Sequence, residues 1–298
     1  MQTKQQIQQL LASAGARPKK SIGQHFLIDL NLMRKLVDWA DVCDTDVVLE
    51  VGCGTGSLTE ALAECGAEVV AVELDNSLAA VAKTQLARKK NVTVINADVL
   101  ENKKTINPAV VKALECARRK CVGRLLLVAN LPYNTASPVI LNLATGATVA
   151  DAMYVTVQKE VARRMTARPG GKDYGILSIF LAVTGEVKIL RLLKPAVFWP
   201  APRVDSAMVS FIRRPEKACP IQNMELFSRV TNLFMSHRRK MVKSCTKFAV
   251  GQLEEIEDWP AVFEYCSIDP AKRPEQLAPE DYIAIANRCW RLLHVKPD

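Results

Sequence analysis

The amino-acid sequence predicts an α/β protein in which an open, largely parallel sheet carries helices on both faces and a small all-α C-terminal domain follows. Three observations support this prediction. Short β-branched runs alternate with segments of helical spacing from residue 47 onward, a glycine-rich loop follows the first run, and strand signals stop after residue 214. Repeated strand–helix–strand order is typical of a parallel sheet covered by helices.

The first four predicted strands are continuous apolar runs, which is typical of parallel strands buried on both faces. Between the second and third strands, residues 77–88 carry apolar side chains at helical spacing. A proline-rich stretch joins the last two strands and suits an antiparallel edge of the sheet. In order, the strands are expected at 47–51, 68–72, 92–95, 125–129, 152–157, 186–192 and 206–212.

The remainder of the chain has the pattern of helices separated by prolines. Helices are expected at about 223–236, 237–249 and 279–293. We therefore place a domain boundary near residue 214, which gives a domain of residues 1–214 and a helical domain of residues 215–298.

Composition restricts the class of protein. At 298 residues the chain is long for one core and suggests about two domains. No apolar run approaches the ~18 residues that span a bilayer, and residues 1–20 lack the apolar stretch of a secretory signal. We expect a cytoplasmic protein without a membrane partner. The nine cysteines form no C-x-x-C pair and accompany only three histidines, so reduced thiols and no metal are expected.

Positive charge is concentrated in clusters. Forty Lys and Arg residues against 31 Asp and Glu residues give a net charge of +9. Residues 1–20, 101–124 and 163–172 are rich in Lys and Arg, and a further cluster contains Arg238, Arg239 and Lys240. Several such clusters together favour a polyanionic partner, with nucleic acid as the leading candidate. Arg238, Arg239 and Lys240 are therefore candidate phosphate contacts, although a solvated helix face would give the same pattern.

The predicted strand ends carry the parts of a nucleoside pocket. Gly52 and Gly54 follow the first strand in a G-x-G-x-G loop, where glycine lets the backbone approach a ligand. Glu73 ends the second strand, 21 positions beyond Gly52, where a carboxylate can accept bonds from ribose hydroxyls. Asp98 follows the third strand and could accept from the exocyclic amino group of an adenine. NAD and S-adenosylmethionine would both fit this set.

The fourth strand is followed by Asn130, Leu131, Pro132 and Tyr133. An amide, a stiffened turn and an aromatic ring at one strand end predict a catalytic site that holds a flat base and its amino group. The four residues resemble the [Asn/Asp]-Pro-Pro-Tyr signature of methyltransferases that act on planar amino nitrogens. This resemblance favours S-adenosylmethionine over NAD.

Over residues 18 to about 245 the chain resembles the ribosomal RNA adenine-N6,N6-dimethyltransferases that modify the small subunit. This resemblance implies a Rossmann-like, S-adenosylmethionine-dependent methyltransferase domain followed by a helical rRNA-binding domain. The matching segments are 23–27, 50–59, 73–75, 96–98, 130–134, 158–161, 174–175, 198–206 and 237–240.

The resemblance also implies roles for individual residues. Tyr133 and Phe198 would sandwich the target adenine, and the helical domain and basic surfaces would grip rRNA. Position 25 is His where many members have Asn. The residues implied to bind S-adenosylmethionine are His25, Leu27, Gly52, Gly54, Glu73, Asp98 and Asn130.

The implied reaction is the dimethylation of two adjacent adenines in a hairpin near the 3′ end of small-subunit rRNA. A monomer acting on a pre-assembled 30S-like particle, with a role in subunit biogenesis, is expected. The Asn130 side chain and the Leu131 carbonyl would accept the N–H groups of the adenine N6, and positioning would supply most of the rate.

Two other interpretations share these motifs. One is an rRNA dimethyltransferase of the large-subunit, antibiotic-resistance kind; Asn134 and the loop at 198–202 favour the small-subunit kind. The other is a non-catalytic relative that acts as a transcription factor or assembly chaperone. The intact Glu73, Asp98 and Asn130 argue against a loss of catalysis.

Overall fold

The computed structural model describes residues 1–19 and 23–294. Its strands are short, and most of them lie where the apolar runs predict them. In chain order they are β1 (Phe26–Leu27), β2 (Val47–Val51), β3 (Glu68–Glu73), β4 (Val92–Asn96), β5 (Leu100–Asn102), β6 (Thr105–Ile106), β7 (Leu125–Asn130), β8 (Ala152–Gln158), β9 (Gly185–Leu193), β10 (Phe198–Trp199) and β11 (Ser206–Arg213).

The helices of the described chain alternate with the first strands and dominate its C-terminal part, where short 3₁₀ turns connect them. They are α1 (Lys4–Ser13), α2 (Leu30–Ala40), α3 (Ser57–Glu64), α4 (Asn76–Gln85), α5 (Pro108–Arg118), α6 (Ala136–Thr145), α7 (Lys159–Met165), α8 (Ile176–Thr184), α9 (Pro215–Ala218), α10 (Met224–Ser236), α11 (Val242–Cys245), α12 (Trp259–Tyr265) and α13 (Pro279–His294).

A seven-stranded sheet has the order β4-β3-β2-β7-β8-β11-β9. Strands β4, β3, β2, β7 and β8 are parallel neighbours, and β11 is antiparallel to β8. The predicted α/β fold with a helical C-terminal region is therefore confirmed. The chain runs outward from β2 to β3 and β4 on one side and later returns to place β7 on the other side. This reversal opens a crevice at the carboxyl ends of β2 and β7, where ligands bind in open α/β sheets.

The core of the sheet explains why its strands are continuous apolar runs. Every residue of β2 is buried, and β7 is buried from Leu125 to Ala129. Leu36 and Ala40 of α2 are fully buried in the same cluster as Val48 and Leu126. Because helices cover the strands, the residues just beyond the strand ends are held on a rigid support.

The α-helix expected at 237–249 is wrong in its extent. Helix α10 ends at Ser236, and only Val242–Cys245 forms a further α-helical turn before a short 3₁₀ turn. The backbone N–H groups of Val242 and Lys243 donate to the carbonyls of Lys272 and Pro270 instead of continuing a helix. Tertiary contacts override helix propensity in this segment.

The chain forms two compact units. One unit contains residues 1–162 and 187–213, and the other contains residues 163–186 and the chain from 214 onward. The prediction of one cut near 214 therefore needs a correction for residues 163–186. Helix α8 within this segment has the apolar sequence ILSIFLAVT and packs against α9, α10 and α13. In the described part of the chain, no helix has both the length and the apolar character to cross a bilayer.

Candidate active site

A cleft lies at the carboxyl ends of β2, β3, β4 and β7, within the first unit. Its walls come from the glycine loop, the ends of β3 and β4, the segment 23–27, the turn that begins at Asn130, and α1. The sequence placed Gly52, Glu73, Asp98 and Asn130 at strand ends, and the structure brings all four to this cleft.

The glycine loop lies directly against the turn after β7. Gly52 has a φ of +76°, which favours glycine, and a Cβ atom at this position would come within 2.9 Å of Pro132 Cγ. A Cβ on Gly54 would meet the ring of Phe26 at 2.9 Å. The glycines therefore allow close packing of the glycine loop against the two segments that complete the cleft.

Glu73 is fixed by backbone donors. Its Oε2 accepts from the Gly54 N–H at 2.8 Å, and its Oε1 accepts from the Asp75 N–H at 2.9 Å. Burial raises the pKa of the Glu73 carboxyl above its usual value, although these backbone bonds oppose the rise. Each oxygen keeps a further lone pair that can accept a hydroxyl. The carboxyl group is thus held in one orientation beside the glycine loop.

Asp98 is exposed and lies two residues beyond Asn96, the partner of Glu73 in the β3–β4 ladder. Its Oδ1 accepts from the Leu100 N–H at 2.9 Å, which is the geometry of an Asx turn. The residue lines the cleft together with its neighbours Ala97 and Val99. A turn-forming role and a ligand-binding role are compatible here, because the second carboxylate oxygen retains its capacity to accept.

Asn130 has one polar atom bonded and one left over. Its Nδ2 donates to the main-chain carbonyl of His25 at 2.7 Å. Its Oδ1 is buried and has no hydrogen-bond partner within residues 1–19 and 23–294. A buried amide oxygen without a partner costs about 1–3 kcal/mol, so such atoms call for an explanation. The arrangement leaves a fixed acceptor on a residue that lines the cleft.

Tyr133 is held by a hydroxyl contact and by a ring contact. Its Oη lies 2.7 Å from Ser206 Oγ, and its ring stacks on the His25 imidazole with centroids 5.3 Å apart. His25 Nδ1 in turn lies 2.6 Å from the Pro200 carbonyl oxygen. Burial raises the pKa of the Tyr133 phenol, so the ring stays neutral at physiological pH. Sequence reasoning identified Tyr133 and His25 but missed Ser206 as the partner of the Tyr133 hydroxyl.

Phe198 does not line the cleft, which corrects the expected sandwich of Tyr133 and Phe198 in this structure. The Phe198 side chain is only 2% exposed and belongs to the core cluster that includes Leu27 and Met208. It pairs with Leu27 in the two-stranded β1–β10 ladder, whereas the neighbouring Trp199 stacks on Phe26. Because strand side chains alternate, the ladder turns Phe198 inward.

Several residues of the cleft were not predicted from the sequence, and three of them, Gln24, Ile7 and Glu50, have distinctive surroundings. The Gln24 Nε2 atom is buried and without a partner in the described chain, and Gln24 lines the cleft. Ile7 of α1 also lines it. Glu50, the residue before the last of β2, is buried, and burial raises the pKa of its carboxyl to about 8. Gln24 and Glu50 lie within the segments 23–27 and 50–59 that match the family, but no sequence signal identifies Ile7.

The polar groups of the cleft suit a nucleoside with an amino-acid end. Carboxylates at Glu73 and Asp98 can accept from hydroxyl and amino groups, and the free Gln24 Nε2 can donate to a carboxylate. Asn130, which carries the acceptor without a partner in the described chain, lines the same cleft. Leu27 is buried along its wall and supplies apolar contact.

The basic segment predicted to contact phosphate lies in the second unit. Arg238 is engaged by an acid: its Nε and one terminal nitrogen donate to Glu275 Oε2 at 3.0 and 2.8 Å. The Arg238 guanidinium also donates to the Lys172 carbonyl at 3.2 Å. Arg239 and Lys240 are exposed. The three residues therefore differ: Arg238 is ion-paired, whereas Arg239 and Lys240 are exposed to solvent.

Comparisons with known proteins agree with this geometry. A family model described as ribosomal RNA adenine dimethylase matches residues 15–288. The chain is 39% identical over 281 residues to ribosomal RNA small subunit methyltransferase A of Pediococcus pentosaceus, covering 94% of this chain and 92% of that protein. It is 34% identical over 289 residues to the protein of the same name from Geobacillus sp., covering 96% of each.

Solved structures show the same fold. A dimethyladenosine transferase from Plasmodium falciparum is similar with a TM-score of 0.67 and 22% identity, covering 86% of this chain and 94% of that one. The 23S rRNA methyltransferase ErmE is similar with a TM-score of 0.60 and 22% identity, covering 88% and 98% of the two chains. At this level of identity the likeness concerns the fold.

Proposed function

The chain belongs to the ribosomal RNA adenine dimethylase family, and from this membership we propose that its cleft is the site of adenine N6 dimethylation in small-subunit rRNA. S-adenosylmethionine is the methyl donor, and when bound it supplies an electrophilic methyl group on a good leaving group. The protein therefore has to bind, orient and exclude water, and it needs no strong base.

One observation supports the role of the turn above all others. The buried Asn130 Oδ1 lacks a partner in the described chain, while the Asn130 Nδ2 is bonded to the His25 carbonyl. An adenine N6 carries two N–H donors, so a fixed amide oxygen can accept one of them, with the Leu131 carbonyl as acceptor for the second. Both bonds would draw the nitrogen lone pair toward the methyl group.

The cofactor residues divide by chemistry. Glu73 would accept the ribose hydroxyls, and Asp98 would accept the amino group of the cofactor's adenine. Gly52 and Gly54 allow the close approach of the backbone. His25 and Leu27 form the neighbouring wall of the cleft. The position of each group and the match to the family's motifs support these roles.

Tyr133 would stack on the target base after the base leaves its helix, which is worth about 1–3 kcal/mol for one aromatic contact. The Ser206 contact at its hydroxyl and the His25 ring fix the position of the Tyr133 ring. The structure gives no support for a second wall at Phe198, which is buried in the core. We therefore assign base stacking to Tyr133 alone.

The small-subunit substrate is favoured over the large-subunit one. The relatives named ribosomal RNA small subunit methyltransferase A reach 34–39% identity along nearly the whole chain, whereas the 23S rRNA enzyme is 22% identical and shares the fold. We further propose two adjacent adenines in a hairpin near the 3′ end as the target. The protein would act as a monomer in the cytoplasm, on rRNA within a 30S-like particle, and contribute to subunit biogenesis.

Mass spectrometry of small-subunit rRNA tests the proposed function. N6,N6-dimethyladenosine should be present in cells with the gene, absent after its deletion, and restored by the purified protein with S-adenosylmethionine. Large-subunit RNA from the same cells is the control and should not change. Loss of dimethyladenosine from the large subunit would establish the alternative enzyme. Cofactor binding without any methyl transfer would establish a non-catalytic relative.

A further inference from the structure

An exposed pair of stacked rings lies in the second unit. Phe248 is 42% exposed, and the His237 imidazole stacks on its ring with centroids 3.9 Å apart and an angle of 11° between the planes. The His237 ring is itself fixed, because its Nδ1 lies 3.0 Å from the Leu233 carbonyl oxygen. The two rings thus form a pre-organised aromatic pair, of which Phe248 is partly exposed in the described chain.

The surroundings of these rings are cationic. No acidic residue occurs between Glu225 and Glu254. Lys240 Nζ lies 5.6 Å from the centroid of the Phe248 ring. The other exposed cations of the segment are Arg239, Lys243 and Lys247, together with Arg229, which pairs with Glu225 at 2.7 Å.

Exposed apolar side chains also concentrate here. Met241 and Val250 are 42% and 70% exposed and lie close to Phe248 in the sequence. A protein that exposes an aromatic ring among cations forgoes the burial energy of that ring. Stacking of a base on an aromatic ring beside cations that neutralise phosphate is the usual composition of single-strand nucleic-acid sites.

We propose that His237, Arg239, Lys240, Lys243, Lys247 and Phe248, here named the Phe248 platform, bind an unpaired nucleotide of RNA. Phe248 stacks on the base, and the lysines neutralise the flanking phosphates. The proposal deepens the proposed function, on which it rests, by assigning a base-stacking contact outside the catalytic cleft. Duplex RNA binds less well, because its bases are already stacked on one another.

Arg238 is not part of this platform. A terminal nitrogen of its guanidinium lies 2.8 Å from Glu275 Oε2. This ion pair links the segment to Glu275, so we assign Arg238 a structural role. This distinction divides the predicted phosphate contacts into one structural residue and two RNA-facing residues. It also guides the choice of variants, because replacing Arg238 would disturb the fold of the segment.

Fluorescence anisotropy with a single-stranded oligoadenylate tests the platform. Phe248→Leu keeps apolar bulk but removes the ring, and we expect about 5- to 150-fold weaker binding. Since no phosphate contact is lost, the dependence of affinity on salt should keep its slope. Lys243→Ala combined with Lys247→Ala should reduce that slope by about 1.4. Phe248→Trp should restore binding, and its added fluorescence should fall when RNA binds.

Tyr265→Leu is the matched control. Tyr265 is also an exposed aromatic residue of this unit, and the Arg288 guanidinium lies 4.3 Å from its ring centroid. Its flanking chain differs from that of Phe248 because it is acidic, with Asp258, Glu264 and Asp269. Equal loss of affinity in Tyr265→Leu and Phe248→Leu would overturn the proposal. Wild-type affinity of Phe248→Leu for the oligonucleotide would also overturn the proposal. If Phe248→Leu in addition bound small subunits more weakly than the wild type, this result would indicate a protein partner.

The result is separable from the proposed function. Methyl transfer by the wild-type protein to small-subunit rRNA is measured in parallel and does not depend on the variant. If the wild type methylates and Phe248→Leu binds RNA normally, the platform is wrong and the enzyme assignment stands. If the wild type does not methylate, the proposed function fails whatever the platform binds.

Discussion

Asn130 has two polar atoms in different surroundings, and this difference determines what the residue can do. The His25 carbonyl accepts from Nδ2 at 2.7 Å and so fixes the amide plane. The opposite atom, Oδ1, is left buried and without a partner in the described chain. An amide fixed in this way can accept a hydrogen bond without reorganisation, which is the property that lowers a barrier.

Asn130→Ala should therefore reduce the rate of methyl transfer strongly, by about 100-fold or more, as for the loss of one fixed hydrogen-bonding group at a reaction centre. Cofactor affinity should fall much less, because Glu73 and the glycine loop remain. Single-turnover methylation with tritiated S-adenosylmethionine and calorimetric titration of the cofactor would measure the two quantities.

Glu73→Gln is the matched variant, since it changes a polar cleft residue of similar size without touching the turn. Here the main loss should be in cofactor affinity, because an amide replaces one acceptor oxygen by a donor. The proposed contact to N6 fails if Asn130→Ala retains turnover. It also fails if both variants lose cofactor affinity and turnover in the same proportion.

The sequence located these residues because position along a predicted parallel strand determines position at the edge of the sheet. Glu73, Asp98 and Asn130 follow three such strands and meet in one cleft. This rule does not apply to Phe198 and Arg238, because neither residue follows a predicted parallel strand. The orientation of Phe198 depends on the pairing of two two-residue strands, and Arg238 meets a carboxylate 37 positions away. Neither contact has a local sequence signal.

Helix α1 contributes to the cofactor cleft through few contacts. Ile7 is 1% exposed, packs in a small cluster with Leu11 and Leu78, and lines the cleft. Gln2 just before the helix donates through Nε2 to the Thr55 carbonyl at 3.1 Å and accepts from the Thr55 hydroxyl at 2.6 Å. These two hydrogen bonds link the start of α1 to Thr55 and so stabilise the glycine loop.

Ile7→Ala should weaken S-adenosylmethionine binding in addition to lowering stability. Loss of a buried isoleucine costs about 2–5 kcal/mol in a well-packed core, with the lower end expected for this peripheral cluster. Urea denaturation without cofactor and calorimetric titration of the cofactor give the two quantities separately. The added effect on binding arises because this side chain forms part of the cleft wall.

Leu11→Ala provides the comparison within the same helix. Leu11 is 2% exposed and belongs to the same cluster, but it does not line the cleft. Its replacement should lower stability by a similar amount and leave cofactor affinity near the wild-type value. Equal affinities in the two variants would remove α1 from the binding site.

At the scale of the whole molecule, the fold is the part that sequence patterns predict best. Apolar runs at each main strand and the change to helices after residue 214 were sufficient to predict the sheet and the helical region. The segment 163–186 was predicted to belong to the first domain. Its association with the second unit depends on the packing of α8 against helices that are distant in the sequence. Local periodicity carries no information about such partners.

Burial of Glu50 couples the stability of the whole protein to pH. The residue is the fourth of a strand whose five members are all buried. Burial, together with the nearby charge of Glu73, raises the pKa of Glu50 to about 8 from 4.5. At neutral pH the folded protein therefore keeps a proton that the unfolded chain has released. This contribution to stability is complete below pH 4.5 and is lost as the pH rises through about 8.

Glu50→Gln should remove this dependence. Across the window between the two pKa values, the free energy of unfolding of the wild type should fall by about 1.4 kcal/mol per pH unit from this group. The variant should lack that contribution and gain stability over the wild type as the pH rises from 5 to 8. Urea denaturation of the cofactor-free protein at several pH values measures the slope. Glu101→Gln, which removes an exposed carboxyl, should keep the wild-type slope, and a wild-type slope in Glu50→Gln as well would show that Glu50 is ionised in the folded protein.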